Sequence, residues 1–294
     1  MRRHRRTVLQ NIVVFFFIVH LFYLFLYPVS SATIPFTKMH GLGNDYIYVN
    51  AIEHPLGDPA RLSVLWSDRH KGIGADGLIL IVKSDKADFS MRIFNADGSE
   101  AEMCGNGIRC VGRFIHDKGL SDKTVLTIET LAGIKVLHMN GDGSVSVEMG
   151  TAFPGGKVLG GTPVSMGNPH LVLFVDDAEA APVAETGPRL EKDPAFPEGT
   201  NVEFAQVLDS THIRMRVWER GSGITRACGT GACATAVAAA AAGLTSPDGC
   251  TILMDGGSLT VAWDPETGKV TMTGPATPVF EGAIEQTFNH NSSK

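Results

Sequence analysis

Two short cysteine-containing turns are the residues of this chain best suited to chemistry. Cys104–Gly107 reads Cys-Gly-Asn-Gly, and Cys228–Gly231 repeats it as Cys-Gly-Thr-Gly 124 residues later. A thiolate can take a proton from carbon, and a thiol can return one. Two cysteines that face each other across one carbon atom could therefore remove a proton from one face and deliver another to the opposite face. Such a transfer would invert the carbon centre.

The match between the two turns continues over most of the chain without a gap. At the same offset Asn44 falls on Asn168, and Gly119 falls on Gly243. A repeat of this length, present twice, is typical of two domain-sized halves rather than of a solenoid. Two such halves usually pack about a pseudo-two-fold axis, which would bring one cysteine from each half to a shared cleft. We therefore expect a racemase or epimerase that needs no cofactor.

Each cysteine precedes a segment with helical spacing that a glycine closes. Ile108–His116 ends before Gly119, and the alanine-rich segment Ala232–Ala242 ends at Gly243. Free amides and the positive dipole end at such a helix start would lower a thiol pKa and could hold a substrate carboxylate. The other segments favour strands. We expect an α+β fold of two pseudo-symmetric halves, each a curled, mostly antiparallel sheet around a central helix, with the active site in the cleft between them.

Composition is that of a globular protein, with 44% hydrophobic residues, 19% charged residues and 33 glycines. The net charge of -6 argues against nucleic acid as a partner. Residues 1–32 differ from the rest, because basic residues at Arg2–Arg6 precede an apolar run from Ile12 to Val29. This pattern is that of a secretory signal or membrane anchor, or of a start codon assigned too far upstream. We expect an extension over 1–32, a first half over 33–155 and a second half over 156–294, whose last strand could return to the first half.

The number and spacing of the cysteines indicate the cellular compartment and whether the protein binds a metal. The five cysteines are an odd number without C-x-x-C spacing, which argues against a disulfide framework and against a common zinc site. Free thiols favour a reducing cytoplasm. Export or membrane contact would follow only if residues 1–32 are a real signal or anchor. No Schiff-base lysine motif or nucleotide loop stands out, so we predict activity without pyridoxal phosphate, another cofactor or a metal.

With both cysteine turns located, the chain resembles the diaminopimelate epimerase family, within a wider group that includes proline racemases and phenazine-type isomerases. The resemblance extends from about Ile34 to Ile284. The resemblance implies interconversion of LL- and meso-2,6-diaminopimelate by a homodimer, as a step of lysine and peptidoglycan precursor synthesis. The motifs that carry it are Lys38–Asp45, Arg69–Gly77, Phe94–Cys110, Gly167–His170 and Glu219–Gly231.

The same resemblance assigns roles to single residues. Cys104 and Cys228 would be the thiolate base and the thiol acid, in either order, with His170 and Glu219 as catalytic helpers. The distal ammonium and carboxylate of the substrate call for an acid and a base, which Glu219 and Arg220 would supply. Some family members have a glutamine where this chain has Gly77, so a side-chain contact is absent there. The predicted substrate-binding residues are Asn44, Gly77, Asn95, Gly105, Asn106, Asn168, Asn201, Glu219, Arg220, Gly229 and Thr230.

Two alternative functions fit parts of the pattern. A related racemase acting on proline or hydroxyproline would not need the acid and base at Glu219 and Arg220. An exported, non-catalytic module could hold an amino acid in the same cleft with its cysteines oxidised. Deuterium exchange at the α-carbon of the ligand separates these alternatives, because a binding module exchanges nothing.

Overall fold

The structure is a computed structural model that describes residues 31–287, with side chains for residues 33–285. Phe36–Gly282 forms one compact unit. The described chain ends, 31–35 and 283–287, belong to a separate unit and are strand residues. The predicted extension over residues 1–32 falls almost entirely outside the described residues. Within residues 31–287, no helix has the length and apolar character needed to cross a membrane.

The described residues form four helices and seventeen strands, so the fold is of the α+β class and sheets predominate. The helices are α1 (Pro59–Ser67), α2 (Gly105–Asp117), α3 (Val183–Glu191) and α4 (Gly229–Ala241). The first strands are β1 (Ser31–Gly41), β2 (Asn44–Asn50), β3 (Gly77–Val82), β4 (Phe89–Asn95), β5 (Glu100–Ala101), β6 (Val125–Thr130), β7 (Gly133–Met139) and β8 (Val145–Thr151). The remaining strands are β9 (Thr162–Ser165), β10 (Pro169–Phe174), β11 (Asn201–Val207), β12 (His212–Glu219), β13 (Gly223–Thr225), β14 (Cys250–Met254), β15 (Gly257–Trp263), β16 (Lys269–Gly274) and β17 (Thr277–Thr287).

The two halves repeat the same series of strand pairings. In the first half β1 and β2 are antiparallel, β2 and β3 parallel, β3 and β4 antiparallel, and β4 and β6 parallel. An antiparallel meander of β6, β7 and β8 follows. Strands β9, β10, β11, β12, β14, β15 and β16 pair in the same senses and the same order. The predicted fold of two pseudo-symmetric, mostly antiparallel halves is confirmed.

One helix lies at the centre of each half. Helix α2 packs against β2, β7 and β8, and α4 packs against β10, β11, β14 and β15. Nearly all of α4 is buried, which explains why the segment has no charged residue. Both helices begin at glycines three residues before the predicted starts at Ile108 and Ala232. The difference arises because the glycine-rich turns already form the first helical turn.

Arg109 of α2 is fully buried and connects the two halves. Its guanidinium donates to the carbonyl oxygens of Gly105 and Pro275 and to Asn106 Oδ1 at 2.9 to 3.1 Å. Pro275 follows β16, so this interaction crosses from the first half to the second. Gly274 leaves the space that the guanidinium occupies, because a methyl group added there would lie 3.1 Å from Arg109 Nε.

Strands β8 and β16 join the halves as an antiparallel pair, with Val147 opposite Met272. The sequence predicts that the register of the last strands slips by one residue relative to the repeat. Burial confirms the slip, because Val145 is buried while Lys269, 124 residues later, is exposed and Val270 is buried instead. The inward-facing positions of the two strands are therefore out of phase by one residue.

Helix α3 is absent from the sequence prediction. Its interior contains Gly187 and Pro188, two residues that disfavour a helix. The structure supplies the reason for the glycine, because a methyl group at Gly187 would lie 2.5 Å from Trp218 Cβ. Packing of α3 against β12 thus outweighs the low helix propensity of the segment.

We predict that Gly274→Ala destabilises the protein by roughly 1 to 3 kcal/mol, as overpacking does. The added methyl group would lie 2.3 Å from Leu259 Cδ2, and Leu259 is itself buried. Urea unfolding measures the change. Gly141→Ala is the matched control, because a methyl group there meets no atom within 4 Å. Equal stabilities of the two variants would contradict the packing described for β16.

Candidate active site

A cavity of about 760 Å³ opens where the two central helices begin. Gly105 and Gly229 line it and lie very close together, since a methyl group added at Gly229 would be 3.8 Å from Gly105 Cα. The N-termini of α2 and α4 therefore meet at one space. Their free amides and positive dipole ends make this space suited to an anion, such as a carboxylate.

Cys104 is the N-cap residue of α2. The Gly107 N–H donates to its Sγ at 3.3 Å, and the Sγ–H donates to Asn44 Oδ1 at 3.2 Å. The amide of Asn44 is oriented by Asp76, whose Oδ2 accepts from Asn44 Nδ2 at 2.8 Å. Because an ionised carboxylate only accepts hydrogen bonds, Oδ1 of Asn44 must face the thiol. This arrangement favours the protonated form of Cys104.

Cys228 is the N-cap residue of α4 in the same way. The Gly231 N–H donates to its Sγ at 3.3 Å, and Thr230 Oγ1 lies 3.6 Å from Sγ. Asn168 Nδ2 donates to Thr230 Oγ1 at 3.4 Å. Glu219 also lines the cavity. The prediction that each cysteine directly precedes a helix is confirmed by both caps.

Burial has the largest effect on both thiols. It raises the pKa of Cys104, and hydrogen bonds from the Gly107 and Asn106 amides offset that effect only in part. Burial also raises the pKa of Cys228 well above its ordinary value, and the carboxylate of Glu219 raises it further. The expectation that the helix starts lower the thiol pKa is therefore wrong for the net effect, because desolvation exceeds the contribution of the amides.

Burial also raises the pKa of Glu219, although a hydrogen bond from the Thr225 hydroxyl opposes this shift. Two acidic groups, the Glu219 carboxyl and the Cys228 thiol, thus lie close enough to influence each other. The Glu219 carboxylate raises the pKa of Cys228, whereas a hydrogen bond with the Cys228 thiol lowers the pKa of Glu219.

An ion-pair network supports the loop that carries Asn44. Asp45 pairs with Lys38 at 2.8 Å and with Arg69 at 2.6 Å, and Arg69 also pairs with Asp76 at 2.9 Å. Burial would raise the pKa of Asp45, but hydrogen bonds from Arg69 and Lys38 outweigh it and bring the pKa to about 2. The network holds Asp76, and Asp76 in turn orients the Asn44 amide.

Most of the predicted site residues line the same cavity. They are Asn44, Asn95, Cys104, Gly105, Asn106, Asn168, Glu219, Cys228, Gly229 and Thr230. Four predicted residues do not line it. They are Gly77, His170, Asn201 and Arg220.

These four residues lie behind or beside the cavity. The Arg220 guanidinium donates to the carbonyl oxygen of Glu198 and lines a separate cavity of about 370 Å³. Asn201 is buried, and its Oδ1 accepts from the Arg220 backbone N–H at 3.0 Å. A side chain at Gly77 has no space, because its Cβ would lie 2.2 Å from the carbonyl oxygen of Phe94.

His170 is fully buried and faces two polar side chains. Its Nδ1 lies 2.6 Å from Glu203 Oε1, and its Nε2 lies 3.1 Å from Asn168 Oδ1. His170 thus contacts a residue of the cavity wall, although it does not line the cavity itself.

Sequence reasoning missed several residues at this site. Tyr46 and Asp76 line the cavity, and Glu203 lies behind it. A signal for Glu203 was present, because it interrupts a strand, Asn201–Val207, whose first five residues are all buried. A buried acid in such a strand needs a partner. Other lining residues that were not among the predicted site residues are Glu102, Lys135, Thr225 and Arg226, although all but Lys135 lie within motifs of the family resemblance.

Comparisons with known proteins agree with this fold. The profile of the family described as Diaminopimelate epimerase matches residues 36–153 and 162–279. A diaminopimelate epimerase of Bacteroides thetaiotaomicron is 56% identical over 266 residues, which cover 87% of this chain and 99% of that protein. One from Methanococcus maripaludis is 48% identical over 275 residues, which cover 85% of this chain and 99% of that protein.

Two solved structures share the fold at low sequence identity. A phenazine biosynthesis protein of the PhzF family from Bacillus anthracis has a TM-score of 0.67 and 20% identity, covering 86% of this chain and 99% of that chain. A hydroxyproline epimerase from Agrobacterium vitis has a TM-score of 0.57 and 18% identity, covering 87% of this chain and 93% of that chain. At such identities the likeness indicates the fold alone.

The curated epimerases that this chain matches first define its class, that of isomerases, and the chain folds as two similar halves of sheet and helix. Two findings identify the family within that class. The chain is 56% and 48% identical to the two curated relatives, and the family profile matches both halves. The chain belongs to the diaminopimelate epimerase family and is an enzyme.

We predict that the free energy of unfolding falls as pH rises above about 8.5, the ordinary thiol pKa in an unfolded chain. Burial raises the pKa of Cys110 to about 11 and that of Cys233 to about 12. The folded state therefore keeps protons that the unfolded state loses, at a cost of up to about 1.4 kcal/mol per pH unit for each buried thiol.

Urea unfolding in reducing buffer, at several values between about pH 7.5 and 9.5, measures this slope. Cys110→Ala should reduce the slope by the contribution of one thiol, whatever its effect on stability at neutral pH. A free energy of unfolding that stays constant over this range would contradict the burial of the thiols.

Proposed function

We propose that the protein interconverts LL- and meso-2,6-diaminopimelate, a step of lysine and peptidoglycan precursor biosynthesis. The observation that carries the proposal is the meeting of two cysteine-capped helix starts at one cavity. The names of the relatives support the substrate, because those named diaminopimelate epimerase match this chain over most of its length. No described residues form a cluster of three or more groups able to hold a metal.

In the proposed complex the substrate binds by its α-carboxylate at the two helix starts. The amides of Gly105-Asn106 and of Gly229-Thr230 donate to that carboxylate, aided by the positive ends of both dipoles. The glycines allow this approach because they carry no Cβ. The α-carbon then lies between Cys104 and Cys228, which reach it from opposite sides.

The proposed reaction is a proton transfer between two thiol groups. One cysteine, ionised, takes the α-proton, so the C–H bond breaks, an S–H bond forms and the electron pair stays on the α-carbon. The other cysteine gives its thiol proton to the opposite face, which forms a new C–H bond with inverted configuration. The first cysteine is then the thiol and the second the thiolate, ready for the reverse reaction.

Ionisation of one thiol depends on substrate binding in this proposal. Burial alone keeps both thiols protonated at neutral pH. The α-ammonium group of the substrate brings a positive charge beside them, which stabilises a thiolate. The amides of Gly107 and Gly231 already donate to the two sulfur atoms and hold the charge that forms.

The distal end of diaminopimelate requires partners for a second ammonium and a second carboxylate. Glu219 in the cavity wall is suited to the ammonium group. Asn44, Asn95 and Asn168 offer neutral amides along the same wall. Arg220 would leave the carbonyl of Glu198 to reach the distal carboxylate, as the resemblance implies.

A second candidate is a related racemase for a smaller amino acid, such as proline or hydroxyproline. The observation in its favour is that Arg220 does not line the cavity. Its guanidinium, which would bind a distal carboxylate, points away from the cavity toward the carbonyl oxygen of Glu198. The non-catalytic binding module has less support, because all five cysteines are free. Activity on LL-diaminopimelate but not on proline would exclude both.

We also propose an oligomeric state, a cellular location and a boundary between the two halves. Resemblance to the family implies a homodimer, and light scattering during size-exclusion chromatography measures the mass of the assembly. Free thiols favour a reducing cytoplasm, while a role of residues 1–32 in export or anchoring is the alternative. A boundary between halves near residues 155 and 156 is supported by the two segments of the profile match, which flank it.

We predict that reduced protein incubated with LL-diaminopimelate in D2O incorporates deuterium at the α-carbon and forms the meso product. Cys104→Ala and Cys228→Ala should each lower the rate of epimerisation by about a hundredfold or more, since a proton-transferring group contributes this much. Mass spectrometry follows the deuterium, and chromatography follows the product.

Cys250→Ala is the matched control and should retain activity, because Cys250 does not line the cavity. Full activity of either Cys104→Ala or Cys228→Ala would rule out the two-base mechanism. Absence of exchange and conversion in folded, reduced wild type would exclude diaminopimelate as the substrate.

We also predict that activity does not depend on a metal or on pyridoxal phosphate. Extended dialysis against a chelator, and separately treatment with hydroxylamine, should each leave the epimerisation rate unchanged. The proton chemistry needs only the two thiols. A loss of activity that added metal or pyridoxal phosphate restores would contradict the proposal.

A further inference from the structure

A histidine and a glutamate form a buried pair behind the Cys228 turn. His170 and Glu203 are both fully buried, and Nδ1 of the histidine lies 2.6 Å from Oε1 of the glutamate. The other oxygen, Glu203 Oε2, has no hydrogen-bond partner in the described part of the chain. The proposed reaction assigns no role to Glu203.

Burial restricts how many protons this pair can hold. A carboxylate that is removed from water and has an unpartnered oxygen is costly unless a positive charge compensates it. The pair is therefore net neutral, either as a carboxylate with an imidazolium or as a carboxylic acid with a neutral imidazole. A proton on Glu203 Oε2 would be a buried donor without a partner among the described residues, so one proton lies between Nδ1 and Oε1 and a second is on His170 Nε2.

The proton on Nε2 determines the orientation of the next side chain. His170 Nε2 faces Asn168 at 3.1 Å, so the Asn168 amide must present its oxygen to this N–H. Its Nδ2 then points to Thr230 Oγ1, as observed. Since Thr230 Oγ1 accepts this hydrogen bond, its own hydrogen is available for Cys228 Sγ at 3.6 Å.

The equivalent asparagine of the first half has the opposite orientation. Asn44 lies 124 residues before Asn168. Its oxygen faces the Cys104 thiol because its nitrogen donates a hydrogen bond to Asp76. Asn44 thus accepts a hydrogen bond from Cys104, whereas Asn168 leaves the Thr230 hydroxyl free to donate to Cys228. The contrast concerns the two asparagines, because the Tyr46 hydroxyl also lowers the pKa of Cys104 and the Glu219 carboxylate raises that of Cys228.

The fold itself does not require the buried pair. By the repeat of 124 residues, Glu203 corresponds to Ile79 and His170 to Tyr46. A methyl group added at Gly231 would lie 2.8 Å from Glu203 Oε1, and one added at Gly107 would lie 2.8 Å from Ile79 Cδ1. An apolar side chain therefore fills the same position in the first half.

We propose that Glu203 is a positioning residue, which acts through His170 to orient the Asn168 amide so that the Thr230 hydroxyl is free to donate to Cys228. The equivalent asparagines of the two halves consequently present opposite ends of their amides, although the backbones of the cysteine turns repeat. The effect of Glu203 on catalysis rests on the proposed function, whereas the proton positions in the His170–Glu203 pair do not.

Nuclear magnetic resonance of the full chain, labelled with ¹⁵N in histidine, tests the pattern directly. His170 is assigned by comparison with His170→Gln. We expect a hydrogen on Nε2, either alone or with one on Nδ1. A His170 with its hydrogen on Nδ1 only would overturn the inference, because Asn168 would then present its nitrogen to the ring and its oxygen to Thr230. This measurement needs neither substrate nor activity.

Two variants test the catalytic consequence. Glu203→Leu leaves Nδ1 without a partner and should lower kcat by roughly tenfold to a hundredfold, which is less than the loss of a donor that contacts the transition state directly. The change in KM should stay below about threefold. The affected hydrogen bond would stabilise mainly the transition state, so its loss lowers kcat more than it changes substrate binding. Glu203→Gln can donate to Nδ1 and keep the hydrogen on Nε2, so it should retain activity within about threefold and the same resonance pattern.

Ile79→Leu is the matched control for repacking at the equivalent position and should change kcat little. Unchanged kcat in a folded Glu203→Leu variant would overturn the positioning role. Should Glu203→Leu fail to fold, the wild-type spectrum still decides the inference. If the wild-type protein has no activity on diaminopimelate, the proposed function fails. The spectrum still decides which nitrogen of His170 carries the hydrogen.

Discussion

The close approach of two helix N-termini is the constraint on which the site depends. Gly105 and Gly229 lie side by side, and Met272 packs against both. Two positive dipole ends at this distance repel each other unless an anion lies between them. Each helix also uses a cysteine as its N-cap, so the geometry that attracts a carboxylate also fixes the two sulfur atoms.

A buried cation adds to this positive potential. Arg109 is fully enclosed, and its guanidinium hydrogen bonds are all to neutral groups within the described residues. It donates to Gly105 and Asn106, the residues at the start of α2, and to Pro275 in the other half. Burial lowers the pKa of Arg109, which reflects the cost of holding the charge there. The same side chain thus connects the two halves and supports the start of α2.

Duplication repeats the backbone of the site but not its polar partners. Asn44 is oriented by a carboxylate of an ion-pair network that is only partly exposed, whereas Asn168 is oriented by a histidine inside the core. Asymmetry of this kind suits a ligand whose two ends differ, as the ends of an amino acid do. The cavity wall therefore combines a symmetric pair of helix starts with side chains that have diverged between the halves.

The repeat and the periodicity alone determined the main features of this protein. They predicted two halves, each with a cysteine-capped central helix, because backbone preferences at glycine-rich turns and apolar spacing are local properties. The slip of register before β16 was visible for the same reason. Most of the site residues predicted from the paired turns and from resemblance to the family line the cavity.

Only the tertiary structure decided the effects that depend on enclosure. Local reasoning assigned a lowered pKa to the thiols, but burial by both halves outweighs the helix amides. The direction of the Arg220 side chain, the helix at Val183–Glu191 and the role of Glu203 also depend on contacts between distant segments. Desolvation and packing are sums over the whole fold, so no local pattern encodes them.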